Sequence, residues 1–181
     1  MNDHARSRRL RRLSFVPRWT VIPTIRKQSV AEHSYHVAHI ALWVSRMHKT
    51  LASGDRDFEI LFFAIIHDET EALTGDIPSP SAHTHMPNKK QFDVEHALGA
   101  STASDEVEQV LKVADVLEAL LFLWEEKKMG NTMEFIEADV TKNLYRALEG
   151  FPWIGANDHA LILGKFKNVF DPGLDPIQEG V

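Results

Sequence analysis

Ser29-Val30-Ala31-Glu32-His33-Ser34 opens the longest helical signal in the chain. Ser29 with Glu32 three residues on is a capping box, in which each side chain satisfies an orphan amide of the first turn. Beyond it Val30, His33, Val37, Ile40, Val44 and Met47 recur at spacings of three and four, which predicts a helix to about Leu51 with one apolar face. Working outward, the pattern stays helical. Asp57 is expected to cap a helix through Phe58–Leu73 that stops at Gly75. The breaker-rich Gly75-Asp76-Ile77-Pro78-Ser79-Pro80-Ser81 begins a loop that runs on to Pro87-Asn88. An amphipathic stretch at about Lys89–Ala100 leads to a long helix, about Asp105–Met129, closed by Gly130. Asn131-Thr132-Met133-Glu134 reads as a second capping box, opening a helix to about Glu149, and a last helix covers about Asn157–Phe170. No alternating strand pattern interrupts this. The predicted class is all-α: one domain of about six helices over residues 1–170, and a Pro/Gly tail at 171–181 expected to be mobile.

Composition narrows the chemistry. The 181 residues contain no cysteine, which excludes disulfides, thiolate metal sites and Cys nucleophiles and fits a reducing cytoplasm. They contain ten histidines, so a metal would be held by imidazole and carboxylate. No apolar run reaches the length of a membrane span, and no secretion signal is visible. Net charge is −6, unevenly placed: six arginines (Arg6, Arg8, Arg9, Arg11, Arg12, Arg18) against Asp3 give +5 over residues 1–20, leaving −11 for the rest. A nucleic-acid binder is normally basic along a whole face, so that role is disfavoured, and the arginines read first as a solvated helix face.

Three places put polar groups where apolar ones belong. The run Ile60-Leu61-Phe62-Phe63-Ala64-Ile65-Ile66 ends in His67-Asp68, at the edge of what must be core. Asp115 sits among Leu111, Ala114 and Ala119, and its bland alternative is a salt bridge to Lys112. His33 lies on the apolar face of the first long helix. Taken singly, each could be a satisfied core residue. A buried carboxylate is costly unless paired or metal-bound, and one shared cation accounts for His33, His67, Asp68 and Asp115 together. That donor set suits Mn, Fe, Co, Ni or Zn. Glu71 follows His67 by four residues and Asp68 by three, so a continuous helix would bring it to the same face as a proton carrier, with Glu69 pointing to solvent.

In this order the residues resemble the H…HD…D signature of the HD-domain metal phosphohydrolases, most closely the small 5′-deoxynucleotidases and the small phage-type dATP triphosphohydrolases. The likeness rests on Arg18-Trp19, Ser29-Val30-Ala31-Glu32-His33-Ser34, His67-Asp68 with Glu71, Thr74-Gly75-Asp76-Ile77-Pro78 and Ala114-Asp115, and covers about residues 10–150. It implies a helical bundle around one divalent metal held by His33, His67, Asp68 and Asp115. It also implies that Glu71 is the acid/base group and that Arg18 orients the phosphate. Trp19 with Asp76, Ile77, Pro78 and Ser79 would line the sugar and base pocket, Asp76 reading the deoxyribose 3′-hydroxyl.

The segment from Asp68 to Asp115 is shorter than the resemblance leads one to expect, and it carries Lys89, Lys90, His83 and His85. The added cations favour a polyphosphate. The expected activity is hydrolysis of the 5′ phosphoester of a deoxynucleoside triphosphate, dATP first, with Mg optionally on the polyphosphate, Lys89 and Lys90 on its tail, and deoxynucleoside plus triphosphate as products. The alternatives are a 5′-deoxynucleotidase acting on monophosphates and a non-catalytic nucleotide sensor. The expected partner is a small-molecule deoxynucleotide, with no membrane and no nucleic acid. The expected location is the cytoplasm, that of a host if the chain is phage-encoded. Trp43, Trp124, Trp153 and the run Leu120-Leu121-Phe122-Leu123 exceed the needs of one small core and suggest a homo-oligomer, a dimer or dimer-based.

Overall fold

The computed structural model describes residues 3–48, 50–76, 103–151 and 158–170. Among them the regular elements are α1 (Asp3–Arg12) with a 3₁₀ turn (Leu13–Phe15), α2 (Val30–Ser45), α3 (Asp57–Ile66), α4 (Glu71–Thr74), α5 (Asp105–Lys128), α6 (Glu134–Glu149) and α7 (Asp158–Phe170). No strand occurs among the described residues; one bridge pairs Pro17 with Ser29. The all-α class holds.

Helices α2 and α5 form the centre of the bundle, with α3 against both, α6 against α5, and α1 on α4. Their shared interface is apolar. Val37, Ile40, Ala41 and Val44 of α2 meet Ile60 and Ala64 of α3 and Val110, Val113, Ala114, Leu117 and Leu120 of α5, all buried. Burying a side chain of this kind contributes about 1.5–3 kcal/mol, which fixes how the three helices sit against one another.

Several helix ends differ from the sequence expectation, each for a local reason. Ser29 Oγ accepts from the Glu32 amide (3.2 Å) as expected, but the Glu32 carboxylate pairs with Arg26 instead of closing the box. Helix α2 stops at Ser45, not near Leu51: Ser45 Oγ turns back onto the Leu42 carbonyl, and the Met47 and His48 amides bond three residues back. Asp57 does not cap α3. Its carboxylate is held in a two-point pair by Arg46 (2.8 and 2.6 Å). The second expected capping box is also absent, because Asn131 is used elsewhere: its amide nitrogen donates to Glu126 and to the Pro23 carbonyl. Gly130, at φ +95°, lets the Asn131 amide reach back to the Glu126 carbonyl (2.9 Å) and so closes α5.

The main correction concerns residues 57–74. The expected single helix breaks after Ile66 into a turn at 67–70, and α4 starts afresh at Glu71. Helical spacing therefore does not place Glu71 relative to His67. Glu69, expected in solvent, is 2% exposed, and Glu71 is 5% exposed. Lys89 and Lys90, His83 and His85, Ile77, Pro78 and Ser79, Trp153, the amphipathic stretch at 89–100 and the tail at 171–181 lie outside the described residues.

Among the described residues, the apolar groups expected to serve an oligomer make contacts within the chain. Leu120, Leu121, Phe122 and Leu123 are all buried, and Trp43 and Trp124 pack on Phe166 of α7.

Candidate metal centre

Helix α2 delivers His33 to the centre of the bundle, fully buried. Its Nδ1–H donates to Glu118 Oε2 at 2.6 Å, since an ionised carboxylate can only accept. That leaves Nε2 as a lone-pair donor facing the end of α3. There His67 uses its Nδ1–H on the Ala64 carbonyl (2.7 Å) and turns its own Nε2 to 3.3 Å from that of His33. Two carboxylates close on the same point. Asp68 Oδ2 is 3.1 Å from His67 Nε2 and 3.6 Å from His33 Nε2, and Asp115 Oδ1 is 3.1 Å from His33 Nε2. His33, His67 and Asp68 satisfy the spacing of a metal-ligating group, with Asp115 beside them.

Two imidazole lone pairs and two carboxylates converging without a proton between every pair is the donor chemistry of a divalent cation site, with each ligating nitrogen set by the hydrogen bond on the other side of its ring. The Asp115 side chain stays 46% exposed, so the cluster opens to solvent on that side. Asp115 does not pair with Lys112; among the described residues its ion-pair partner is His33.

Without an ion the cluster is held by its own charges. Burial opposes the charge of His67, but Asp68 and Asp115 outweigh it and raise its pKa to about 9. Burial likewise opposes ionisation of Asp68 and Asp115, yet the two histidines and Arg18 hold both carboxyls below the usual range. Burial disfavours the Arg18 cation as well, and Asp115, Glu118, Asp68 and Asp76 around it more than compensate. Arg18 Nη1 is buried without a hydrogen-bond partner among the described residues.

Arg18 and Trp19 reach this place on a loop pinched shut at its base. The Arg18 amide donates to the Gln28 carbonyl (2.8 Å), and the Val30 amide to that of Val16 (2.9 Å). The Trp19 amide donates to Asp76 Oδ2 (3.1 Å), its indole Nε1–H to Gln28 Oε1 (3.2 Å), and its ring stacks on Phe122 at 5.1 Å. One face of Trp19 is thus already covered. Burial lifts the Asp76 pKa, and Arg18 only partly offsets it. The far side of the loop is tied down by Glu126, which accepts from the Ile25 and Arg26 amides at 2.7 Å each.

The structure thus brings His33, His67, Asp68, Asp115, Arg18 and Asp76 together. Reading the sequence misses two members. Glu118 had a signal, an acid three residues after Asp115 within Val116-Leu117-Glu118-Ala119-Leu120, where an apolar residue would be expected. Gln28, 1% exposed, had none, because only the folded loop buries it.

Residues 10–147 match the HD domain. The chain belongs to the HD-domain family. It is 35% identical over 127 residues to the dATP triphosphohydrolase of Salmonella phage PMBT28, covering 65% of this chain and 66% of that protein. It is 31% identical over 151 residues to a 5′-deoxynucleotidase of Yersinia pestis, covering 71% of this chain and 76% of that protein. In fold it is similar to the cyanophage S-2L HD phosphohydrolase DatZ, solved bound to dA and one catalytic Zn²⁺ ion. That match has a TM-score of 0.66 at 20% identity and covers 91% of this chain and 96% of that one. An HD-domain phosphohydrolase from Listeria innocua gives a TM-score of 0.66 at 19% identity, covering 93% and 90%. The resemblance read from the sequence, an HD-domain phosphohydrolase, is borne out. Among the described residues no helix is long and apolar enough to cross a membrane.

Proposed function

We propose that this HD-domain enzyme hydrolyses the 5′ phosphoester of deoxynucleoside triphosphates, dATP first, releasing deoxynucleoside and triphosphate. The observation that carries the reading is the juxtaposition of the His33, His67, Asp68 and Asp115 cluster with the buried, unpartnered Nη1 of Arg18. A cation site adjoining an anion site is what a phosphoester needs. The phage relative's name supports the triphosphate, and the dA in DatZ supports a deoxyadenosine moiety.

His33, His67, Asp68 and Asp115 would hold one divalent transition metal, Zn, Mn, Co, Fe or Ni. When bound, such an ion supplies Lewis acidity toward a phosphoryl oxygen and makes water a better nucleophile. Arg18 would offer Nη1 to the α-phosphate and offset charge as the P–O5′ bond breaks. Glu71 would carry the proton that the leaving O5′ takes up. Asp76, anchored by the Trp19 amide, would accept from the deoxyribose 3′-hydroxyl, with Trp19, Ile77, Pro78 and Ser79 around the sugar and base. Lys89 and Lys90 would contact the polyphosphate tail, with Mg on it as an optional counter-ion. The site of action would be the cytoplasm, and a homo-oligomeric form would have to assemble through exposed apolar residues such as Phe58 and Phe135, not through the buried run at 120–123.

The Yersinia relative favours a second reading, orthophosphate release from deoxynucleoside monophosphates. A product assay separates the two. Purified enzyme is offered dATP, the other dNTPs, dNMPs and ribonucleotides with each metal in turn. Triphosphate from dATP, lost in Arg18→Ala and Asp115→Ala, is the expected result. Orthophosphate from dNMPs as the sole efficient product overturns it in favour of the second reading. No hydrolysis of any deoxynucleotide overturns both.

A further inference from the structure

Three side chains outside the ligand set lead in one line to His33. Trp19 Nε1–H donates to Gln28 Oε1 (3.2 Å), Gln28 Nε2 donates to Glu118 Oε1 (2.6 Å), and His33 Nδ1–H donates to Glu118 Oε2 (2.6 Å). Each end of this line has one allowed polarity. An indole N–H can only donate, and an ionised carboxylate can only accept. Gln28 between them must therefore present its oxygen to Trp19 and its nitrogen to Glu118; the flipped amide would lose both bonds. Glu118 in turn leaves His33 a single tautomer, with the Nε2 lone pair toward His67, Asp68 and Asp115. Half-buried His36 adds a longer contact to Glu118 Oε1 (3.5 Å).

We propose that Trp19, Gln28 and Glu118 form a directional hydrogen-bond relay that positions His33 for the metal and couples that position to the loop carrying Arg18 and Trp19. The proposal rests on the reading of His33 as a metal ligand. Three features point to more than incidental burial. Gln28 and Glu118 are each 1% exposed, so their bonds are made in a medium where a lost partner is costly. Trp19 sits at φ +60°, a strained conformation for a bulky residue, and persists there because its amide, its indole N–H and its ring are all held. The loop base closes through the Gln28 carbonyl itself, so the residue that relays to Glu118 also fixes Arg18. Trp19, Gln28 and Glu118 are positioning residues: they act on the metal centre only through His33.

The test is Co²⁺ titration of chelator-stripped protein, followed by calorimetry and visible absorption, with circular dichroism confirming the fold of each variant. Glu118→Gln should weaken Co²⁺ binding by about 10- to 100-fold, the usual effect of removing an outer-shell carboxylate behind a ligating histidine. The swap Gln28→Glu with Glu118→Gln re-forms every bond with the carboxylate moved one residue along, and should recover most of that loss. Trp19→Phe keeps a ring on Phe122 and removes only the N–H; it should weaken Co²⁺ binding several-fold. Wild-type affinity in Glu118→Gln overturns the relay. Wild-type affinity in Trp19→Phe, or a folded swap variant as weak as Glu118→Gln, overturns its extension to the loop. If Glu118→Gln fails to fold, the swap and Trp19→Phe still decide. Absence of Co²⁺ binding by the wild-type chain defeats the metal-centre reading itself, a different failure from normal binding that no variant disturbs.

Discussion

The α2–α3–α5 core and the loop from Pro17 to Gln28 both deliver residues to the same centre, but they do so by opposite means. The core presents His33 and Asp115 from helices, and His67 and Asp68 from the turn that ends α3, all clamped together by buried aliphatic side chains such as Val37, Ile60, Val113 and Leu117. The loop has exposed Val21 and Ile25 and no helix of its own. It is held by directed polar bonds: Glu126 to two amides, Gln28 to Trp19 and Glu118, Asp76 to the Trp19 amide. Apolar packing is non-directional and shared over many contacts, so it tolerates small losses. A buried polar tether is local, and removing one partner leaves the other unsatisfied at about 1–3 kcal/mol. One would therefore expect the metal cluster to fail globally and the substrate loop to fail piecemeal.

The largest expected effect is on the core. Leu117, fully buried between Asp115 and Glu118 on α5, should cost about 2–5 kcal/mol of stability when changed to Ala, read by urea unfolding. Metal affinity in the protein that stays folded should change little. A Leu117→Ala protein of normal stability would break the contrast, since the core would then not be what holds the cluster.

A smaller effect, and a different kind, is expected at the loop. Glu126→Ala strands the Ile25 and Arg26 amides and leaves the Asn131 side chain with only its bond to the Pro23 carbonyl. Hydrogen exchange should speed up over residues 17–28, and KM for the deoxynucleotide should rise, with Co²⁺ affinity retained because the Gln28–Glu118 side of the loop is intact. Faster exchange spread evenly over α2 and α5 would show that loop and core are one cooperative unit.

The smallest effect is protonic. In the metal-free chain His67 titrates at about 9, above its ordinary 6.5, so it stays charged in the folded state while the unfolded chain has lost that proton. The stability it contributes is complete below about pH 6.5 and is lost as pH rises through about 9. Metal binding requires the neutral ring, so uptake at pH 7 should release a proton, seen as a buffer-dependent heat in calorimetry, and the release should fade above pH 9. A buffer-independent heat at pH 7 would mean that His67 is already neutral in the metal-free chain. The Asp68 pair would then contribute less than the geometry implies.

What the sequence determined by itself was the pattern of burial. Period 3.6 in residues 30–47 and the apolar run before His67-Asp68 announce helices whose polar residues lie in or beside a core, and local periodicity suffices because a helix face is a property of neighbours three and four apart. The proposed ligand set was legible for the same reason: each member broke an apolar pattern. Where the argument needed the backbone to continue it failed. The helix stops at Ile66, so the spacing argument that chose Glu71 over Glu69 lost its basis, and Glu69 is the more buried of the two. Only the tertiary structure decided that Glu118 stands behind His33, that Gln28 joins it to Trp19, and that Arg18 lies next to Asp68 and Asp115. These partners are 85 and 90 residues apart in the two bonds to Glu118. No local pattern records such pairings, because the bonds are directional and exist only after the apolar faces of α2 and α5 have met and shut water out of the space between them.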